Sequence, residues 1–216
     1  MPIKAASGLR KDFCLGAAAV LLFIPLFVFQ SLGPLDFWWW MSLDLVLLIG
    51  LGAAVDRGFF SVLKADFLSG PMRKIWLGVV SAVALYALFF AGNLISRMIL
   101  PFAGAGIAEV YGFRGDASSV RIVLLMALLI GPGEELFWRG FLQRRWQERF
   151  GRGPGFLAAA ALYALVHVGS GNPMLVLAAA VCGLFWGALY LRTGSILLVA
   201  VSHTLWDIAV FVLFPF

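Results

Sequence analysis

The stretch IWLGVVSAVALYALFFAGNLISRMIL, Ile75–Leu100, carries a single charged residue, Arg97, near its end. A helix crosses a hydrocarbon core about 30 Å thick with roughly 20 mostly apolar residues, so this stretch is long enough to span a bilayer unaided. The rest of the chain has the same character. Its 216 residues are 62% hydrophobic and only 12% charged, with a mean hydropathy of +0.99, whereas a soluble domain carries about 25% charged residues. A water-soluble fold has no means of covering that much apolar surface, so lipid is the solvent for which this sequence is written.

Working outward with the same length rule predicts about seven spans: Phe13–Leu32, Phe37–Val55, Ile75–Leu100, Val120–Phe141, Pro154–Val168, Met174–Leu191 and Ser195–Phe214. The expected fold is an all-α polytopic transmembrane helix bundle forming one integral membrane domain over residues 1–216, since no connection is long enough for a soluble domain. FFSVLKADFL (Phe59–Leu68) is short and mixes apolar with charged positions, which predicts a helix lying along the cytoplasmic interface. GIAEVYGF (106–113) is a second short segment, on the opposite side. Gly183 and Gly187 form a GxxxG spacing, expected to let two helices approach closely.

The net charge of +5 follows the connections between spans. Lys4, Arg10 and Lys11 precede the first span, and Arg57, Lys64, Arg73 and Lys74 lie between the second and third. Arg144, Arg145, Arg149 and Arg152 separate the fourth and fifth, and Arg192 follows the sixth. Alternate connections hold Asp36, a mixed Arg97–Asp116 segment and the uncharged GSGNP. By the positive-inside rule the N-terminus is cytoplasmic and the C-terminus is outside, and Trp38, Trp39 and Trp40 are expected to form an aromatic belt at the outer surface. This charge pattern accounts for the basic balance without a nucleic-acid partner. No small-x-small cleavage site closes the first apolar run, so it reads as an uncleaved span rather than a signal peptide. Cys14 and Cys182 both lie inside apolar runs, which argues against a disulfide framework or a clustered-thiolate zinc site and for small buried hydrophobes.

Within the spans, the ionisable residues are Asp44, Glu134, Glu135, Arg139, His167, His203 and Asp207. A charge at the centre of a span costs on the order of 2.5–3.5 kcal/mol on insertion scales, so such groups face the bundle interior and have partners and usually a task. At about 1.5 Å per residue, Glu134 lies roughly 15 Å from the basic end at Arg144, His167 roughly 20 Å from Pro154, His203 roughly 12 Å and Asp207 roughly 18 Å from Ser195. Three helices thus bring acid or imidazole groups to a similar depth, which predicts one shared site, expected here on the cytoplasmic half.

Glu135 and Arg139 stand i, i+4 with the acid first, the favourable order for an ion pair, and successive helical residues point about 100° apart. Pairing Glu135 with Arg139 therefore leaves Glu134 free on the adjacent face. His203 and Asp207 also share one face. Pro132 removes a backbone donor, and with Gly131 and Gly133 it weakens the helix beside the glutamates. A carboxylate withdrawn from water can serve as a general base near neutral pH, and imidazoles at the same depth can orient the water or stabilise an oxyanion. No serine or cysteine stands in a nucleophile motif, so the residues favour hydrolysis by water. Glu134, His167, His203 and Asp207 would equally serve as ligands for zinc or a similar divalent metal. Asp44 reads as a structural polar group, and Trp138 and Phe141 as packing residues.

These residues are similar to the motifs of the CPBP family, the CAAX proteases and bacteriocin-processing enzymes, which includes the type II CAAX prenyl endopeptidases. EELFWRG resembles its EExxxR motif, YALVH (Tyr163–His167) its second motif and HTLWD (His203–Asp207) its HxxxN or HxxxD motif. The resemblance covers roughly Val120–Phe214. It divides the chain into a catalytic core over 118–216 and N-terminal spans over 1–117 that carry none of the motifs. It implies an intramembrane endopeptidase acting on a membrane-associated protein or peptide, probed first as a CAAX-type substrate. In it Glu134 and His167 would activate water, His203 and Asp207 would stabilise the oxyanion, and Glu135 and Arg139 would support the site. The prenyl-protein enzymes carry Asn where this chain has Asp207, and an ionised Asp has no hydrogen to donate to an oxyanion. The compact size and short loops are those expected of a protein of a bacterial inner membrane. Two alternatives are a proton-coupled carrier, which would be expected to show paired discontinuous helices in two repeated halves, and a non-catalytic immunity or assembly partner.

Overall fold

The computed structural model describes residues 2–216, with side chains from Lys11 onward. Lys4 and Arg10 lie outside the residues whose side chains are described. The elements are α1 (Pro2–Phe29), a hairpin of β1 (Ser31–Leu32) and β2 (Leu35–Asp36), α2 (Phe37–Val55), α3 (Phe59–Leu68), α4 (Pro71–Ile99) and α5 (Ala103–Gly112). An irregular helical path follows through α6 (Ser119–Leu125), α7 (Gly131–Glu135) and α8 (Arg144–Phe150). Then come α9 (Arg152–Val166), α10 (Pro173–Thr193) and α11 (Ile196–Ile208).

Among the described residues, six helices are long and apolar enough to cross a bilayer: Lys11–Phe29, Phe37–Val55, Pro71–Ile99, Arg152–Ser170, Pro173–Thr193 and Ile196–Leu213. The stretch expected as a fourth span, Val120–Phe141, is helical too, but alternates α turns with π turns at Met126–Ile130 and Leu136–Gln143. Pro132 has no N–H to give to the preceding turn, and the ladder around it is rebuilt with the wider spacing. Such π turns concentrate at functional sites; here the two flank α7, which carries both glutamates, and the second contains Arg139.

The surface is that of a protein bathed in lipid. α4 exposes Val83, Leu94, Met98 and Ile99 and packs its Gly78 against α11, where an added Cβ would meet Val201 at 2.8 Å. Helix α3 has the bounds predicted for the interfacial segment, with Phe59 buried and Phe60 and Leu68 exposed. It is fastened to the bundle by Asp66, which accepts from the Leu197 backbone at 2.8 Å and binds Lys74 at 2.6 Å. Asp66 therefore joins Ser195, which accepts from Leu198 N at 3.2 Å, in capping the helix that carries His203. The GxxxG face is used within the chain: a Cβ at Gly183 would meet Ala160 O at 3.2 Å, and one at Gly187 the Phe156 ring at 2.7 Å, both on α9.

Two expectations are corrected. Trp39 faces outward, but Trp38 and Trp40 are buried; three consecutive helical residues point about 100° apart, so a belt of all three is geometrically closed to them. Cys182 is buried as expected, whereas Cys14 is exposed on the outer surface of α1, where the surroundings are lipid-facing; both are free thiols.

Helices α7 and α11 approach so closely that an added Cβ on Gly131 would lie 2.3 Å from Thr204 Oγ1 and 3.0 Å from the Thr204 Cα. Gly133, one turn-edge away, has nothing nearer than 3.5 Å. Gly131→Ala is therefore expected to force the two helices apart, costing about 1–3 kcal/mol in thermal stability. Gly133→Ala should leave stability close to wild type in the same melting measurement.

Candidate active site

The π turns bring a buried acidic pair into the centre of the bundle. Glu135 is wholly buried, and its Oε1 accepts from Arg139 Nη1 at 2.7 Å, the i, i+4 pair expected. The same oxygen lies 2.6 Å from His203 Nδ1, a contact that links α7 to α11. His203 Nε2 is 3.4 Å from Asp207 Oδ2. The imidazole thus stands between two carboxylates, one on its own helix and one across the bundle. The Arg139 guanidinium lies 5.0 Å from the Tyr163 ring centre and 5.7 Å from that of Trp186, so aromatic faces line the arginine that lipid would otherwise make costly.

Glu134 turns the other way. It lines a cavity of about 340 Å³ together with Tyr163, His167, Trp186, His203 and Asp207. Its Oε2 has no hydrogen-bond partner. The same is true of Glu135 Oε2 and Asp44 Oδ2, but neither of those residues lines the cavity. Buried polar atoms are paired in the great majority of cases, so an unpaired carboxylate oxygen on a cavity wall is an acceptor held in reserve. His167 begins the short 3₁₀ turn after α9, and its Nδ1 lies 2.7 Å from the Tyr163 carbonyl oxygen. A carbonyl only accepts, so Nδ1 carries the hydrogen and Nε2 is left as the basic nitrogen.

The four residues Glu134, His167, His203 and Asp207 thus share one chamber, as their common depth predicted. They do not make a metal-binding group: among the described residues no three His, Cys, Asp or Glu side chains come together in that way. His203 has both nitrogens engaged by carboxylates, and His167 Nδ1 is committed to a carbonyl.

The direction in which the chamber extends corrects the sequence estimate. Its walls include Phe27 at the end of α1, Trp38 at the start of α2, Asn93 and Ser96 late in α4, Tyr111 on α5 and Phe216. All belong to the end of the bundle opposite the arginine-rich connections. Toward the arginines the bundle is closed. Phe59 stacks on Phe141 with ring centres 3.8 Å apart, Gln143 donates to Gly187 O at 2.8 Å, and Asp12 and Asp56 ion-pair with Arg145 and Arg144. Depths of 12–20 Å in a core about 30 Å thick place the residues near the middle, and packing on either side decides which way they open.

Residues 116–209 match the family model described as type II CAAX prenyl endopeptidase, Rce1-like. Over these residues the chain is similar to the Rce1-like family. No curated protein and no solved structure matches closely enough to add to this. The matched segment contains every residue of the chamber that carries acid or imidazole, and the family it resembles is one of CAAX-type endopeptidases. α1 to α5 lie outside the match.

One neighbour of the site, Trp186, was not apparent from the motifs. Trp186 stacks on His203 with ring centres 3.7 Å apart and planes at 21°, and donates its Nε1–H to Ser202 Oγ at 3.1 Å. Its position inside the Gly183–Gly187 spacing was the available signal, since a large aromatic flanked by glycines on a close-packed face must point into a neighbour. Asp44 is buried on α2 outside the chamber. Trp138 and Phe141 are buried packing residues, as read from the sequence, and neither lines the chamber.

Proposed function

We propose that the chain is an intramembrane endopeptidase that hydrolyses a peptide bond of a membrane-associated protein or peptide with water activated by Glu134. The observation that carries this reading is the unpartnered Glu134 Oε2 on the wall of a chamber shared with His167 and His203. Glu134 takes a proton from water as its oxygen attacks the carbonyl carbon, with His167 orienting that water. The oxyanion develops beside His203, which Glu135 and Asp207 hold in place. The C–N bond then breaks, the proton passes to the leaving nitrogen, and the products are a carboxylate and an amine. This assigns Asp207 to orienting His203 rather than to donating a hydrogen bond, which removes the difficulty of an acid where the prenyl-protein enzymes have an amide.

On this reading residues 118–216 form the catalytic core and 1–117 the variable spans, and the protein resides in a bacterial inner membrane with its N-terminus in the cytoplasm. On this reading the carboxylate base acts without a metal. The test is cleavage of a membrane-anchored peptide, prenylated or not, by detergent-purified protein with and without a strong chelator. Cleavage that persists in chelator is expected. Its loss on chelation and return with zinc would replace the carboxylate base with a metal, and a preference for the prenylated peptide would make the substrate CAAX-type.

A further inference from the structure

We infer that substrate reaches this site sideways from the outer leaflet, so that the bond cut belongs to the outward-facing membrane-proximal segment of an anchored polypeptide. The inference rests on the endopeptidase reading for its chemistry, but on separate observations for its direction. The first is charge. One end of the bundle carries Arg57, Lys64, Arg73, Lys74, the Arg144–Arg152 cluster and Arg192. At the other end the cations are Arg97, Arg114 and Arg121, offset by Asp36, Glu109 and Asp116, with Arg121 ion-paired to Asp36. Such an asymmetry fixes the arginine-rich end in the cytoplasm.

The second observation is where the chamber opens. Its exposed wall residues include Leu88 on α4 and Leu177 on α10, each about half exposed. Leu88 lies roughly 25 Å along α4 from its basic start, and Leu177 roughly 6 Å from the outer start of α10. Both therefore stand in the half of the bilayer away from the arginines. α4 packs chiefly on α11 and α10 chiefly on α9, and α5 bridges α4 and α10 at the outer end. The gap between them is thus a side opening into lipid, roofed by α5. Below, the stacked Phe59 and Phe141 and the Asp12, Asp56 and arginine pairs leave no matching route from the cytoplasm.

The walls also describe the occupant. Phe27, Phe37, Trp38, Phe89, Phe113 and Phe211 give an apolar, aromatic lining, and the charges around the outer end balance. Apolar residues flanking the scissile bond fit this lining, and Arg97, the cation beside it, is already engaged by Asn93 at 2.7 Å. A cytoplasmic protein tail would have to enter from the closed end.

The test combines topology with cleavage in intact cells of a bacterial expression host. In a Cys14→Ser, Cys182→Ala background, Asp116→Cys on the outer-end loop and Tyr111→Cys on the chamber wall are compared with Lys64→Cys on α3. A membrane-impermeant maleimide is expected to label Asp116→Cys and Tyr111→Cys from outside, and Lys64→Cys only after permeabilisation. In parallel, two anchored reporters place the same apolar cleavable segment at the outer or the inner membrane surface, and only the outer one should be cut. The reverse labelling, equal labelling of all three from outside, or cutting of the inner reporter overturns the inference. Labelling as expected with neither reporter cut leaves the direction standing and overturns the endopeptidase reading.

Discussion

Glu134→Gln is expected to give a folded helix bundle whose cleavage rate is lower by about a thousandfold, within the range contributed by a general base. The amide keeps the shape and most of the volume of the carboxylate, and Glu134 Oε2 makes no hydrogen bond in the folded chain that the substitution would break. Thermal melting should therefore hardly move. What is lost is the ability to take a proton from water. The adjacent acid makes the contrast sharp, because Glu135 Oε1 accepts from Arg139 at 2.7 Å and lies 2.6 Å from His203 Nδ1. Substitution there should disturb both melting and rate. His167→Ala should share the large loss of rate but also lose some stability, since the ring packs on Phe27 at 4.5 Å and on Tyr163 at 5.0 Å between centres. The measurement is single-turnover cleavage alongside a melting curve in the same detergent. A Glu134→Gln protein within tenfold of wild type would remove Glu134 as the base.

The parts of this arrangement that could be read in advance are those written in local spacing. Glu135 with Arg139 and His203 with Asp207 sit i, i+4, and helical geometry alone brings each pair together. The bounds of α3 followed from Phe59–Leu68 being too short to span and too mixed to be buried. Depth along each helix was enough to collect Glu134, His167 and His203 into one chamber. Rotation and packing between distant segments were not legible in that way. Nothing local tells that Glu135, rather than Glu134, reaches His203, because that depends on how π turns rotate the helix between Gly131 and Gln143. The closure of the arginine-rich end was hidden for the same reason: Asp12, Asp56 and Phe59 lie far in sequence from Arg144, Arg145 and Phe141. Trp38 and Trp40 were read as a belt from composition, when their burial is fixed by which face of α2 meets the bundle.

Arg139→Ala is expected to destabilise the protein by about 3–5 kcal/mol, the scale for breaking one side of a buried ion pair. Glu135 would then be left wholly buried with only His203 beside it. The guanidinium also reaches toward the Cys182 and Gly183 carbonyls at 3.5 and 3.4 Å and fills the space between the Tyr163 and Trp186 rings, so alanine leaves a void where helices α9 and α10 meet. A loss of cleavage in Arg139→Ala alone would not separate folding from chemistry, and the double variant Glu135→Gln, Arg139→Gln does. Removing both charges together leaves no uncompensated ion, and replacing a whole buried pair with neutral groups is often close to neutral for stability. Most of the melting temperature should therefore return. Cleavage should not, because His203 Nδ1 would have lost the carboxylate that holds the imidazole across the bundle. Recovery of both in the double variant would reduce Glu135 and Arg139 to a structural pair. Recovery of neither would mean that the geometry around His203, and not only its charge balance, is set by this one arginine.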